Sequence, residues 1–360
     1  MRDKARRTES RSEHSTRDGK RSRRPSPATI AVVGGSAVLG AGLAIATKVL
    51  ASRARSRPDP FAREPYGRIK PDRRYQVKTD GVQLNVDEMG PRSSKSGVVF
   101  LHGFCLDRTI WHHQMTTLDA GHRHLYYDAR HHGISEGGEV PTDVAVLAAD
   151  LKSVVDESGL ERVVLVGHSM GGMTLLEFCR QYPAYLGEQV KGLVLVNTTY
   201  TDALKTVFGA EVIGPLERGS GQTFRVSRSS RANELLFHGG DLSYLLVKMF
   251  GFGPGPSPSQ VQYVQRLLAC FPSPPLIEMM TMFRNFDAEE ALAKIDVPVL
   301  IVAGGDDRIT TVRASRRIAA DIEGSRLVVF DDTGHLSMME RSVEFNALLR
   351  DFFETHLRTD

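Results

Sequence analysis

The chain has 360 residues, 41% of them hydrophobic and 25% charged, which is enough apolar content for one large core with an insertion or an appendage. A net charge of +3 conceals an uneven distribution: Met1–Pro27 holds ten Lys and Arg against four acids, Lys48–Arg63 holds five against one, and residues 64–360 are left at about −7. An acidic folded part argues against nucleic-acid binding, and three cysteines (Cys105, Cys179 and Cys270), far apart and odd in number, do not indicate a disulfide framework.

Residues 1–27 are rich in Arg, Ser and Glu and are expected to be disordered. Ala28–Thr47 is a run of twenty residues without a charge, about the length that crosses ~30 Å of hydrocarbon. It reads as a single-pass membrane anchor over residues 28–50. A cleaved export signal, from the basic flank and Ala44-Ile45-Ala46, and a surface-lying Ala/Gly helix are the rival readings. Lys and Arg on both flanks leave the orientation open. Residues 51–71 read as a linker.

Beyond Pro71, strands alternate with helices. Tyr75–Thr79 and Val82–Val86 flank Asp80-Gly81, a hairpin signal. Gly97–Leu101, Arg123–Tyr127, Arg162–Val166, Lys191–Val196, Val297–Val302 and Arg326–Phe330 are short β-rich runs. Val144, Leu147, Ala148, Leu151, Val154 and Val155 have helical spacing. The pattern predicts an α/β class: a mostly parallel sheet with helices on both faces.

The strand ending at Val166 breaks into Gly167-His168-Ser169-Met170-Gly171, after which the pattern turns helical. A serine between glycines on such a turn projects its hydroxyl clear of its neighbours, as an attacking nucleophile requires. Acyl transfer also needs a base, a group to orient the base, and donors for the oxyanion. His335, in Asp331-Asp332-Thr333-Gly334-His335, and Asp307, in Gly304-Gly305-Asp306-Asp307, each follow a strand. They are the candidates for base and acid, with Asp306 as the competitor of Asp307.

At these residues the chain resembles the α/β-hydrolase superfamily over about residues 72–356. The motifs are Leu101-His102-Gly103-Phe104, Asp128-Ala129-Arg130 leading to Gly133-Ile134-Ser135, the Gly167–Gly171 turn, Gly304–Asp307, and Gly334-His335. The resemblance implies Ser169 as nucleophile, His335 as base and Asp307 as its orienting acid. It also implies an oxyanion hole from the backbone N–H groups of Phe104 and Met170, supported by His102 and Gly103. His102-Gly103-Phe104-Cys105-Leu106-Asp107 followed by Trp111 looks like the esterase and non-haem haloperoxidase-like branch. Haloalkane dehalogenases and epoxide hydrolases carry aspartate at the nucleophile position, against Ser169. Carbon–carbon bond hydrolases often have Asn where this chain has His168. The superfamily usually has glycine where this chain has His131.

The remaining histidines, His112, His113, His122, His124, His131 and His132, read as surface or loop residues. No metal is expected, since the His112-His113 and His131-His132 pairs lack a carboxylate or cysteine at recognisable spacing. No organic cofactor is required either. Cys105, near the expected site, reads as an apolar filler.

The core is expected over 72–198 and 296–356. Residues 199–295 interrupt the alternation, where the superfamily carries a helical cap. Leu235, Leu236, Leu242, Leu245, Leu246, Val247, Met249 and Phe250 are the candidates to line an apolar chamber there. The resulting expectation is a serine hydrolase that cleaves a carboxylic ester or thioester of a small molecule with an apolar acyl part. The alternatives are perhydrolase or cofactor-free haloperoxidase-like activity, and a non-catalytic ligand-binding module on the same scaffold. The sequence leaves the oligomeric state open.

Overall fold

A computed structural model describes residues 45–118, 121–139, 141–202 and 240–358. Eight strands form one sheet in the order β1-β2-β4-β3-β5-β6-β7-β8. They are β1 (Arg73–Thr79), β2 (Val82–Met89), β3 (Ser96–Leu101), β4 (Arg123–Tyr127), β5 (Arg162–His168), β6 (Val190–Val196), β7 (Val299–Gly304) and β8 (Arg326–Phe330). The β1–β2 hairpin turns on Asp80 and Gly81, both at positive φ (38° and 75°), the conformation that favours Asp-Gly in a two-residue turn. β2 pairs antiparallel with β1 and β4, and every other pairing is parallel. This is the mostly parallel sheet that the alternation predicts, and the α/β-hydrolase fold that the resemblance implies.

The helices are α1 (residues 45–55), α2 (His112–Thr117), α3 (Val144–Ser158), α4 (Met170–Gln181), α5 (Asp241–Gly251), α6 (Pro258–Cys270), α7 (Ser273–Asn285), α8 (Glu289–Leu292), α9 (Val312–Asp321), α10 (Ser337–Glu340) and α11 (Ser342–His356). β3 and β7 are buried from end to end, as befits parallel strands covered on both faces. Period-two alternation sends Val99, Leu165 and Leu193 to one face, where they meet Leu147 and Leu151 of α3 and Leu175 and Phe178 of α4. Val98, Val164 and Val194 go to the other, against Trp111, Met338, Phe345 and Leu349.

β4 and β5 flank β3 on opposite sides, so the chain reverses its direction of travel across the sheet at β3. In open α/β sheets a ligand site forms at such a reversal, outside the carboxyl ends of the strands. The loop after β3 and the turn after β5 occupy that position here.

Residues 51–71, expected as a linker, lie on the body of the protein. Ala51 and Tyr66 are buried, and Arg55 pairs with Asp241 of α5 at 2.5 Å. Asp59 accepts from the backbone N–H and hydroxyl of Ser259 at 2.9 and 2.8 Å and from the Ser257 hydroxyl, capping α6 from two hundred residues away in sequence. The Tyr66 ring stacks on Tyr263 at 4.8 Å.

The tail over residues 1–27 and most of the membrane-anchor stretch lie outside the described residues. Among the described residues no helix is long and apolar enough to cross a membrane. Leu235 and Leu236 of the expected chamber also lie outside them. On α5 the expected apolar wall divides, with Leu245 and Val247 half-buried against the core. Ser243 and Tyr244 are the buried residues, while Leu242, Met249 and Phe250 are more than two-fifths exposed. Helical periodicity marks an apolar stripe, but the partner decides which stripe is covered.

Candidate active site

The turn between β5 and α4 is strained where Ser169 sits. Its φ of 53° and ψ of −114° belong to a region that a residue with a side chain rarely occupies, and such strain gathers at functional sites. The flanking glycines make the turn possible. A Cβ on Gly167 or on Gly171 would lie 2.5 Å from the carbonyl oxygen of Gly171 or of Leu101, respectively, and one on Gly172 would lie 2.5 Å from Thr198. Backbone therefore packs on backbone, which lets α4 start directly beside β3. Gly171→Ala is expected to lower stability by about 1–3 kcal/mol through overpacking, measured as a fall in the urea midpoint.

Asp307 and His335 meet directly. His335 Nδ1 lies 2.8 Å from Asp307 Oδ2. Asp307 is buried behind β7, and Asp306 is exposed. The Asp307 carboxylate receives four further bonds: from the N–H groups of Ile309 and Thr310 at 2.8 and 2.9 Å, the Thr310 hydroxyl at 2.8 Å and Asn197 Nδ2 at 2.9 Å. Burial alone would raise its pKa, yet the His335 ring and these donors outweigh burial and hold it below the ordinary carboxylate value. With a buried carboxylate against Nδ1, that nitrogen carries the proton and Nε2 is left as the basic atom.

Ser169 reaches this pair through its neighbour. His168 Nε2 lies 2.9 Å from the main-chain oxygen of His335, and the two rings are 4.7 Å apart. Among the described residues the Ser169 hydroxyl makes no direct hydrogen bond to His335; in enzymes without substrate such bonds commonly tighten only on binding. The loop after β3 abuts the serine, because a Cβ on Gly103 would lie 3.2 Å from Ser169 Cβ and 2.7 Å from His168 Nδ1.

That loop supplies donors. Among the described residues neither the Phe104 nor the Met170 N–H has a hydrogen-bond acceptor. Met170 opens α4, where helix N–H groups are unpaired and the helix dipole favours an anion. Neighbouring atoms fix the loop: His102 Nε2 accepts the Ala129 N–H at 3.0 Å, and His132 Nε2 accepts the Cys105 N–H at 3.2 Å. The other ring nitrogens face the carbonyls of Gly103 and Arg130. Burial pushes the pKa of both rings down, so they stay neutral and keep one acceptor each. Burial also pushes the Cys105 thiol well up, in keeping with a filler rather than a nucleophile.

Several histidines expected at the surface are inside. His112, His113, His124 and His132 are buried. His112 and His113 bond Glu64 and Tyr66, while His132 holds the Cys105 amide, so the two pairs serve different contacts. His131 adopts φ 65°, the glycine conformation of that position, without a glycine.

Asn197, Thr310, Phe271 and Phe283 were not singled out by sequence. Asn197 follows β6 at φ 43°, a strand end that points at the site, and its Nδ2 bridges Asp307 and the Gly334 carbonyl at 2.9 and 3.2 Å. Phe271 and Phe283 stand edge-on to Phe104 at 5.2 and 5.0 Å. They form an apolar wall beside a proposed oxyanion donor.

A sequence profile described as the alpha/beta hydrolase family matches residues 98–348. A 2-hydroxy-6-oxo-2,4-heptadienoate hydrolase of Pseudomonas putida is 28% identical, with 77% of this chain and 94% of the relative covered. A non-heme haloperoxidase of Rhodococcus erythropolis is 28% identical, with 78% and 99% covered. Among solved structures, an esterase from Exiguobacterium antarcticum superimposes with a TM-score of 0.63 at 25% identity, covering 78% of this chain and 98% of that one.

Proposed function

The chain belongs to the alpha/beta hydrolase family, and on that premise we propose that it is a serine hydrolase that cleaves a carboxylic ester or thioester with an apolar acyl part. The observation that carries the reading is the buried Asp307–His335 pair beside a strained serine turn with two unpaired main-chain N–H groups.

In this reading Ser169 Oγ attacks the acyl carbon while His335 Nε2 takes its proton. Asp307 stabilises the imidazolium that results. Charge develops on the former carbonyl oxygen, and the N–H groups of Phe104 and Met170 receive it. His335 returns the proton to the leaving group, and the acyl group remains on Ser169. Water, deprotonated by His335, then releases the acid. The aromatic wall of Phe104, Phe271 and Phe283 supports the apolar preference, since such a wall gains from acyl contact and penalises a buried charge.

Peroxide in place of water would release a peracid from the same acyl-enzyme; the similarity to a non-heme haloperoxidase favours keeping that second reading. The uncharged run before residue 48 supports placing the enzyme at a membrane.

The test is a series of p-nitrophenyl esters from acetate to decanoate, assayed with and without peroxide. Rising kcat/KM over the first several carbons is expected, at about 4-fold per added methylene, from ~0.8 kcal/mol per buried CH₂. Tight ligand binding without turnover would favour a binding module instead.

A further inference from the structure

The loop that carries His335 touches the connection between α5 and α6 backbone to backbone. A Cβ on Gly334 would lie 2.6 Å from the Gly253 nitrogen, and one on Gly253 would lie 2.5 Å from the Asp332 carbonyl oxygen. Two facing peptides then need an acceptor for their N–H groups. Glu340, the last residue of α10, provides it. One carboxylate oxygen accepts the Gly334 N–H at 2.8 Å and the other accepts the Gly253 N–H at 2.8 Å.

This is an expensive way to hold two peptides together. Among the described residues no cation pairs with Glu340, and burial pushes its carboxyl up to about 7. A side chain selected for stability alone would not place a carboxylate there without a partner. Gly334 is also the residue before His335: Glu340 holds its N–H and Asn197 holds its carbonyl. Its orientation sets where the imidazole starts.

We propose that Glu340 is a positioning residue for the base: by bridging Gly334 and Gly253 it makes the placement of His335 depend on the segment inserted between β6 and β7. The inference rests on the serine-hydrolase reading and deepens it, since the insertion that would contact substrate then also sets the base. A small shift of reacting groups is enough, because about 1 Å of misplacement can cost ~10²-fold in rate.

The experiment uses the full chain with Glu340→Gln and Glu340→Ala. Sites are titrated with a fluorophosphonate, and kcat per titrated site is compared with KM and with the thermal midpoint. The amide of Gln keeps the shape and one acceptor but turns an N–H donor toward the other peptide. The expected result is kcat per site lower by about 10-fold in Gln and more in Ala, with KM changed less than two-fold; the thermal midpoint is expected to fall in both, because at least one N–H loses its acceptor, so kcat per site and the His335 resonance carry the decision. A displaced His335 ring resonance in Glu340→Gln is expected in the same samples and does not require turnover. Parental kcat per site with an unmoved His335 resonance would overturn the proposal, even if the midpoint fell. Failure of the parent itself to label at Ser169 would instead count against the hydrolase reading, and the ring resonance would still decide the role of Glu340. If the Ala variant does not fold, the Gln variant decides alone.

Discussion

Ser169→Ala is expected to lower kcat/KM for any cleaved ester by about 10⁴- to 10⁶-fold, the range seen when a serine nucleophile is removed from a working triad. The hydroxyl makes no hydrogen bond to another described residue, so its removal leaves no partner among them unsatisfied. Stability is accordingly expected to stay level, which separates loss of chemistry from loss of fold. A variant that kept ordinary turnover would mean that another group attacks the substrate.

The second large effect belongs to Asp307→Asn. All five partners of Asp307 are donors: two main-chain N–H groups, a hydroxyl, the Asn197 amide and the His335 ring. A carboxylate accepts from all of them, whereas an amide must turn its own N–H toward some. The imidazole would take the wrong tautomer, and kcat is expected to fall by about 10⁴-fold. Each donor left without an acceptor would also destabilise the fold by about 1–3 kcal/mol. The pH dependence has a definite sign. The folded state holds the Asp307 carboxyl below its ordinary value of 3.8, so its contribution to stability is complete above that pH and is lost as the pH falls through the folded value. The stability gap between parent and variant is therefore expected to be widest near neutrality and to narrow below pH 3.8, as acid titrations of unfolding would show.

The features legible in the sequence are those set by local chemistry. A β-rich run ending in Gly-x-Ser-x-Gly reveals the turn after β5, because only glycine fits where Gly171 meets the Leu101 carbonyl. Asp307 and His335 were legible because each follows a strand, and strand ends of a parallel sheet converge. The structure also separates Asp307 from Asp306, which spacing alone left as competitors.

The rest depends on contacts between distant segments. Asp59 reaches Ser257 and Ser259, and nothing near Asp59 in sequence marks it as other than a linker residue. The histidines of α2 and the loop after β4 sit in polar, His-rich stretches, yet tertiary packing buries His112, His113 and His132. Thr310 had a usable signal: an Asp followed three residues later by Thr often closes a side-chain turn, and here its N–H and hydroxyl both bond Asp307. Glu340 had none, since its partners are backbone groups of two loops, one of them 87 positions away.

The most direct measurement is fluorophosphonate labelling of the full chain, with the modified peptide mapped by mass spectrometry. Covalent modification at Ser169, absent from Ser169→Ala and strongly slowed in Asp307→Asn, is the predicted result. A folded protein that stays unlabelled, or that labels at a different serine, would contradict the account at its centre.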